Sequence, residues 1–152
     1  MIVRHARESE APALADLVRR AYAHYVDRMG KKPAPMTEDY AALVRAGSVR
    51  VAEHEGTLLG LLVLTKHTNH VALDNIAVSP DAQGSGIGAQ LLEFTENYAR
   101  EHELREIRLH TNEAMTENIT YYTRRGYVET GRAIDRGYRR VFFTKHLRAP
   151  VD

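Results

Sequence analysis

The sequence predicts an α+β layered fold, with a mixed and mostly antiparallel central sheet and helices on both faces. Three observations lead there. Apolar residues alternate between strand and helix periodicities in the order β-α-α-β-β-β-α-β-α-β-β. Val49 to Glu53 and Leu58 to Lys66 join across Glu55-Gly56, a hairpin signal that makes this pair antiparallel. The second of these strands is apolar on both faces, as expected for a strand inside a covered sheet.

Taken in order, Ile2 to Ala6 forms the first short strand. Between Ser9 and Asp27, Leu14, Leu17, Val18, Ala21 and Tyr25 recur at helical spacing, with Pro12 accommodated in the first turn. Pro33 and Pro35 exclude regular structure from Gly30 to Met36. Thr37 is expected to cap a second helix that ends at Gly47. After the hairpin, Val71 to Val78 is a fourth strand. Gly86 to His102 is a helix with Ile87, Leu91, Phe94 and Tyr98 on one stripe. Glu106 to Thr111 is a fifth strand, Met115 to Arg125 a short helix stopped by Gly126, and two final strands, Val128 to Ile134 and Arg139 to His146, turn around Gly137. Residues 1–148 are expected to form a single domain, with 149–152 a frayed tail.

Composition narrows the classes of function. The 152 residues carry 21 basic and 20 acidic side chains, well mixed, and no basic stripe points to nucleic acid. Leu58 to Leu64, the longest apolar run, is interrupted by Gly60 and is far too short for a bilayer, so no membrane partner is expected. Cysteine is absent, which removes disulfides and thiolate chemistry. Arg4, Arg7 and Glu8 break up any signal-peptide core, and a cytoplasmic location is the expectation. His67-Thr68-Asn69-His70 lacks a third ligand and reads as a polar turn, so no metal is expected.

The most informative segment runs from Ile76-Ala77-Val78 through Ser79-Pro80-Asp81-Ala82 to Gln83-Gly84-Ser85-Gly86-Ile87-Gly88-Ala89. An apolar strand enters a polar loop, then a glycine-rich turn, then an amphipathic helix. That order gathers unobstructed backbone N–H groups and a helix N-terminus at one point, and both attract phosphate oxygens. The glycines formally match a dinucleotide fingerprint, but five residues separate Val78 from Gly84, and Thr111 stands at the end of the next strand where a ribose-binding acid would be needed. No lysine follows the glycines, which excludes a Walker-type loop.

Gln83-Gly84-Ser85-Gly86-Ile87-Gly88 resembles the Q/R-x-x-G-x-G/A signature of the GNAT family of N-acetyltransferases. Tyr121-Tyr122-Thr123-Arg124-Arg125-Gly126-Tyr127 resembles that family's L-Y-x-x-x-G-F segment, and the element order is similar over nearly the whole chain. The resemblance implies transfer of an acetyl group from acetyl-coenzyme A to a primary amine. It places the pyrophosphate on the amides of Gly84, Ser85, Gly86, Ile87, Gly88 and Ala89, with Gln83 as a neutral donor where relatives often have arginine. The pantetheine arm would pair with the backbone of Ile76, Ala77 and Val78, where such folds splay the fourth and fifth strands. Tyr122 takes the place of the general acid. Asn118, one turn earlier, is a candidate for the coenzyme arm, although the family's asparagine lies about two turns before the tyrosine, where this chain has Met115.

The chemistry requires a neutral amine, donors for the tetrahedral oxyanion and a proton for the leaving thiolate. Free lysine titrates near ~10.4, so a base is useful for such an acceptor. A backbone N–H within Ile76 to Val78 suits the oxyanion. The resemblance makes His110, near the end of the fifth strand where some relatives carry a catalytic glutamate, the candidate base, with Asp74, Glu113 and ordered water as rivals. By the same resemblance, Tyr22, Tyr25, the Lys31-to-Met36 loop, Tyr40 and Tyr138 are candidates for the pocket of an amine-bearing acceptor, small molecule or peptide. A homodimer is the candidate assembly, and a non-catalytic acyl-coenzyme A sensor is the alternative function.

Overall fold

The structure, a computed structural model, describes residues 1–148; the expected tail lies outside the described residues. The strands are β1 (Ile2–His5), β2 (Val49–His54), β3 (Thr57–Lys66), β4 (Val71–Val78), β5 (Glu106–Asn112), β6 (Val128–Asp135) and β7 (Tyr138–His146). The helices are α1 (Ala11–Met29), α2 (Tyr40–Arg45), α3 (Ile87–Glu101) and α4 (Thr116–Arg124). They follow one another in the order expected from the sequence. The sheet has seven strands in the order β1-β2-β3-β4-β5-β7-β6. β1–β2, β2–β3, β5–β7 and β6–β7 are antiparallel, and β4–β5 is parallel through three pairs, Val71↔Ile107, Ala72↔Arg108 and Leu73↔Leu109.

The described residues form two compact units: Met1–Leu64 with Asp74–Phe94, and Thr65–Leu73 with the described chain from Thr95. The core of the first unit sets Leu14, Leu17, Val18 and Ala21 of α1 against Val49 and Val51 of β2, Leu61 and Val63 of β3, Ala77 of β4, and Tyr40. The 3.6-residue period of α1 meets the two-residue period of the strands there, so one helical stripe covers one sheet face. At the edge, Arg4 of β1 bridges Glu10 at 2.8 Å and Glu53 at 2.6 Å. Its guanidinium holds the Glu10 carboxyl down at about 2, well below the usual carboxylate range.

Two local expectations change. Thr37 does not cap α2. It ends a short 3₁₀ turn, Ala34–Thr37, and its hydroxyl donates to the Ala34 carbonyl. Asp39 caps instead, its carboxylate accepting from the Ala42 N–H at 3.1 Å, because an Asx side chain two residues later reaches the first free donors. On α3 the buried stripe is Ile87, Leu91, Leu92, Thr95 and Ala99, while Phe94 and Tyr98 are half-buried. Residues 87, 91, 95 and 99 recur at four-residue spacing, and Phe94 and Tyr98 lie one position off that row.

In the second unit, Leu109 of β5 and Phe143 of β7 are paired and buried. Lys145 of β7 pairs with Glu96 of α3 at 2.6 Å. After α4, the chain closes at Gly126, and the Tyr127 N–H returns to the Tyr122 carbonyl at 3.0 Å. Among the described residues, no helix is long and apolar enough to cross a membrane.

Gly60 of β3 fixes how the start of α3 seats in the first unit. A Cβ there would lie 2.8 Å from the Ala77 carbonyl oxygen of β4, 3.2 Å from Leu91 and 3.4 Å from Ile87. The first contact is with backbone and cannot give. Gly60→Ala should therefore destabilise the protein by about 1–3 kcal/mol, the usual cost of overpacking, and lower Tm by roughly 2–4 °C per kcal/mol. A thermal melt of the Ala variant matching the parent would show that this approach is not tight.

Candidate functional site

The glycine-rich turn is built by β4 and α3 of the first unit. Ser79, buried, anchors the end of β4 through its N–H to the Leu59 carbonyl at 2.8 Å. Pro80–Ala82 makes one 3₁₀ turn, and the Ser85 hydroxyl folds back onto the Ala82 carbonyl. Gly84 and Gly86 have φ of 84° and 85°, a left-handed conformation that other residues adopt only at a cost. Nothing lies within 4 Å of where their Cβ atoms would be, so the backbone is open to a ligand. The first α3 bond runs from the Gln90 N–H to the Gly86 carbonyl at 3.1 Å. The N–H groups of Ile87, Gly88 and Ala89 thus lie in the first turn, where a helix supplies no acceptor of its own. Gln83, exposed, leans back to donate to the Val78 carbonyl at 3.4 Å. The structure therefore brings Ile76, Ala77, Val78 and Gln83 through Ala89 into one continuous strand–turn–helix segment.

A residue that the sequence reading passed over sits beside it. Asn75 of β4 is 8 % exposed and donates to the Tyr40 hydroxyl at 3.2 Å. The Tyr22 hydroxyl lies 3.0 Å from Asn75 Oδ1 and 2.9 Å from the Ile76 carbonyl oxygen, and the Tyr40 hydroxyl donates to the Pro35 carbonyl at 2.6 Å. Burial pushes both phenols well above their ordinary range, so both remain neutral donors. The signal was an asparagine in the inward register of a strand whose other inward residues are Val71, Leu73 and Ala77. Tyr22 and Tyr40, expected in an acceptor pocket, thus have their hydroxyls engaged with β4 and the segment before α2. Asp74 is exposed at the adjoining position of β4.

The second unit holds the other candidates. The Tyr122 ring, 6 % exposed, packs against Tyr121, Tyr127 and Phe143 at centroid distances of 5.7, 5.6 and 6.0 Å. His110, half-buried, meets Phe142 edge-on at 6.0 Å. The register pairs His110 with Phe142 and Leu109 with Phe143, so His110 projects from the face of β5 opposite the one Tyr122 covers. Asn118 donates its amide to the Thr111 hydroxyl at 3.3 Å. Glu113 is held by Arg132 at 3.2 Å. His67 and His70 stack at 4.5 Å, with the His67 N–H closing a turn onto the His70 carbonyl at 2.9 Å.

A model described as the acetyltransferase (GNAT) family matches residues 12–127. Among solved structures, the chain is similar to a PaiA N-acetyltransferase from Thermoplasma acidophilum in complex with coenzyme A, with a TM-score of 0.78, 16 % identity, and 95 % of this chain and 98 % of that one covered. It is similar to the ribosomal-protein-S18-alanine N-acetyltransferase of Escherichia coli, with a TM-score of 0.75, 16 % identity and coverage of 99 % and 96 %. A ribosomal-protein-alanine N-acetyltransferase from Brucella melitensis gives a TM-score of 0.69, 22 % identity and coverage of 97 % and 100 %. At these identities the likeness shows the fold. No curated protein matches the sequence.

The Tyr127 hydroxyl is buried with no hydrogen-bond partner among the described residues. Burial first, and then the Glu96 charge, push its phenol upward. Tyr127→Phe should raise stability by about 1 kcal/mol or more, because it removes a polar group whose desolvation is uncompensated. A lower Tm for the Phe variant would mean that the hydroxyl contributes a favourable interaction.

Proposed function

Because the chain belongs to the GNAT acetyltransferase family, we propose that it moves an acetyl group from acetyl-coenzyme A to a primary amine by direct transfer. The observation that carries this reading is the open turn at Gly84 and Gly86, where positive φ and free space expose backbone N–H groups at the start of α3. A pyrophosphate is the ligand such a turn suits, since its oxygens accept from several N–H groups and lie at the positive end of the helix dipole. The coenzyme A in the Thermoplasma acidophilum structure supports the same class of ligand. We read both units as one acetyltransferase domain, because the family match of residues 12–127 takes in parts of each.

In the proposed reaction the pyrophosphate sits on Gly84 through Ala89, with Gln83 beside it, and the pantetheine arm runs along Ile76 to Val78. The neutral amine attacks the thioester carbonyl. A backbone N–H in Ile76 to Val78 receives the oxyanion, and collapse breaks the C–S bond. Tyr122 gives its phenolic proton to the departing thiolate, and His110 takes the proton released by the amine. Asn118 supports the arm through its amide.

The test is release of free thiol from acetyl-coenzyme A with a panel of small amines and peptide N-termini. Turnover is expected with at least one acceptor. Tyr122→Phe should lower kcat by ~10²–10⁴ with that acceptor while coenzyme affinity barely moves. A parent that binds the coenzyme yet transfers to no amine would fit the sensor instead, and a Phe variant within a few-fold of the parent would remove Tyr122 from the mechanism.

A further inference from the structure

The register of β5 against β7 sets the neighbours of His110. Phe142 lies directly opposite it, and Arg140 lies opposite Asn112. Side chains alternate along each strand, so His110, Phe142 and Arg140 share one face of the sheet. On that face the next positions along β5 are Arg108 and Asn112, and the diagonal positions on β7 are Arg140 and Thr144. Two of these five neighbours are guanidiniums, and none is acidic by residue type.

The two arginines are held differently. The Arg108 side chain is 46 % exposed and reaches back to Glu106 at 3.0 Å. The Arg140 side chain is 14 % exposed, and its Nη1 donates to Asp135 of β6 at 2.5 Å. Its Cζ lies 5.9 Å from the centre of the Tyr138 ring, two residues away on the same face, and Tyr138 pairs with Asp135. A guanidinium carries five N–H donors on three nitrogens, and Asp135 takes one nitrogen only. One arginine can serve two carboxylates in this protein, since Arg4 holds both Glu10 and Glu53.

We propose that Arg140 is a specificity residue that receives a carboxylate of the acceptor, so that the preferred acceptor is a peptide amine with an anion one residue away. The inference rests on the acetyl-transfer reading above, with His110 as its base, and names the substrate class. Diagonal neighbours across an antiparallel pair stand ~7–8 Å apart. An extended chain advances ~3.3–3.6 Å per residue, so the amine and carboxylate of a dipeptide span about that distance. The amine attacks the thioester carbonyl beside His110. The N–C bond forms, the C–S bond breaks, and the proton of the amine passes to the imidazole. The carboxylate does not react. It stays on the Arg140 fork, where charge-assisted N–H···O bonds orient the amine.

The experiment measures thiol release from acetyl-coenzyme A with glycylglycine and with glycylglycinamide, which lacks the carboxylate. The parent should favour glycylglycine in kcat/KM by about 10–100-fold, the range for a hydrogen bond to a charged group. Arg140→Gln should bring that ratio near unity, whereas a merely structural role would lower both acceptors together. Arg108→Gln should keep the ratio, and its loss there would move the site to Arg108 and overturn the assignment. Glycine, whose carboxylate is one residue closer to its amine, should be a poorer acceptor than glycylglycine. In the parent alone, the Arg140 Nε–H resonance should shift with glycylglycine and not with glycylglycinamide. That measurement decides the matter even if the Gln variant does not fold. Equal kcat/KM for the two dipeptides, an undiminished ratio in Arg140→Gln, glycine serving as well as glycylglycine, or an unmoved Arg140 resonance would each overturn the proposal and leave acetyl transfer intact. A parent that releases no thiol with any amine of the panel would remove the acetyl-transfer reading itself, and this inference with it.

Discussion

The absence of a side chain at Gly60 is the constraint on which the site in the first unit depends. The Ala77 carbonyl oxygen, Leu91 and Ile87 all come within 3.4 Å of the place a Cβ would take. Ile87 and Leu91 open α3, so the seat of the helix on β3 and β4 decides where its first-turn N–H groups stand. The hydrophobic effect holds the helix down, through buried Ile87, Leu91 and Leu92, but has no direction of its own. Direction comes from sterics at one backbone position.

From that seat the rest of the site follows by short-range chemistry. The chain must leave β4, turn and enter α3 within a few residues, and Gly84 and Gly86 take the left-handed backbone the turn needs. Apolar burial fixes the two ends of the segment, and the part between them stays exposed and open. A polar chain then secures the strand: Asn75 is buried in a register otherwise filled by Val71, Leu73 and Ala77, and its amide is matched by two neutral phenols. Burying such groups is costly unless they are paired, and once paired they specify one geometry.

Periodicity revealed the element order, both hairpin turns and the strand–turn–helix segment, because each is written in local spacing and glycine placement. Other features depended on distant partners. Thr37 and Asp39 are both plausible caps by residue type, and only the 3₁₀ turn from Ala34 decides between them. The stripe of α3 runs through Thr95 and Ala99 and past Phe94, and a threonine and an alanine carry too little apolar signal for periodicity to mark them as the buried row. His110 and Tyr122 are each legible as chemistry. That His110 projects from the face of β5 opposite the one the Tyr122 ring covers required the β5–β7 register, which sequence alternation alone does not supply. Tyr22 read as a pocket residue, since nothing local to α1 tells that its hydroxyl meets the Ile76 carbonyl.

The central claim is that the turn between β4 and α3 holds the pyrophosphate of coenzyme A. Calorimetric titration of acetyl-coenzyme A into the parent and into Gly86→Val, with circular dichroism to establish that both are folded, tests it most directly. A branched side chain at that position would occupy the open space over the backbone and strain its left-handed conformation, so the account predicts that affinity falls at least roughly tenfold, about 1.4 kcal/mol, with the far-ultraviolet spectrum preserved. Equal affinity in the two proteins would contradict it and place the pyrophosphate elsewhere.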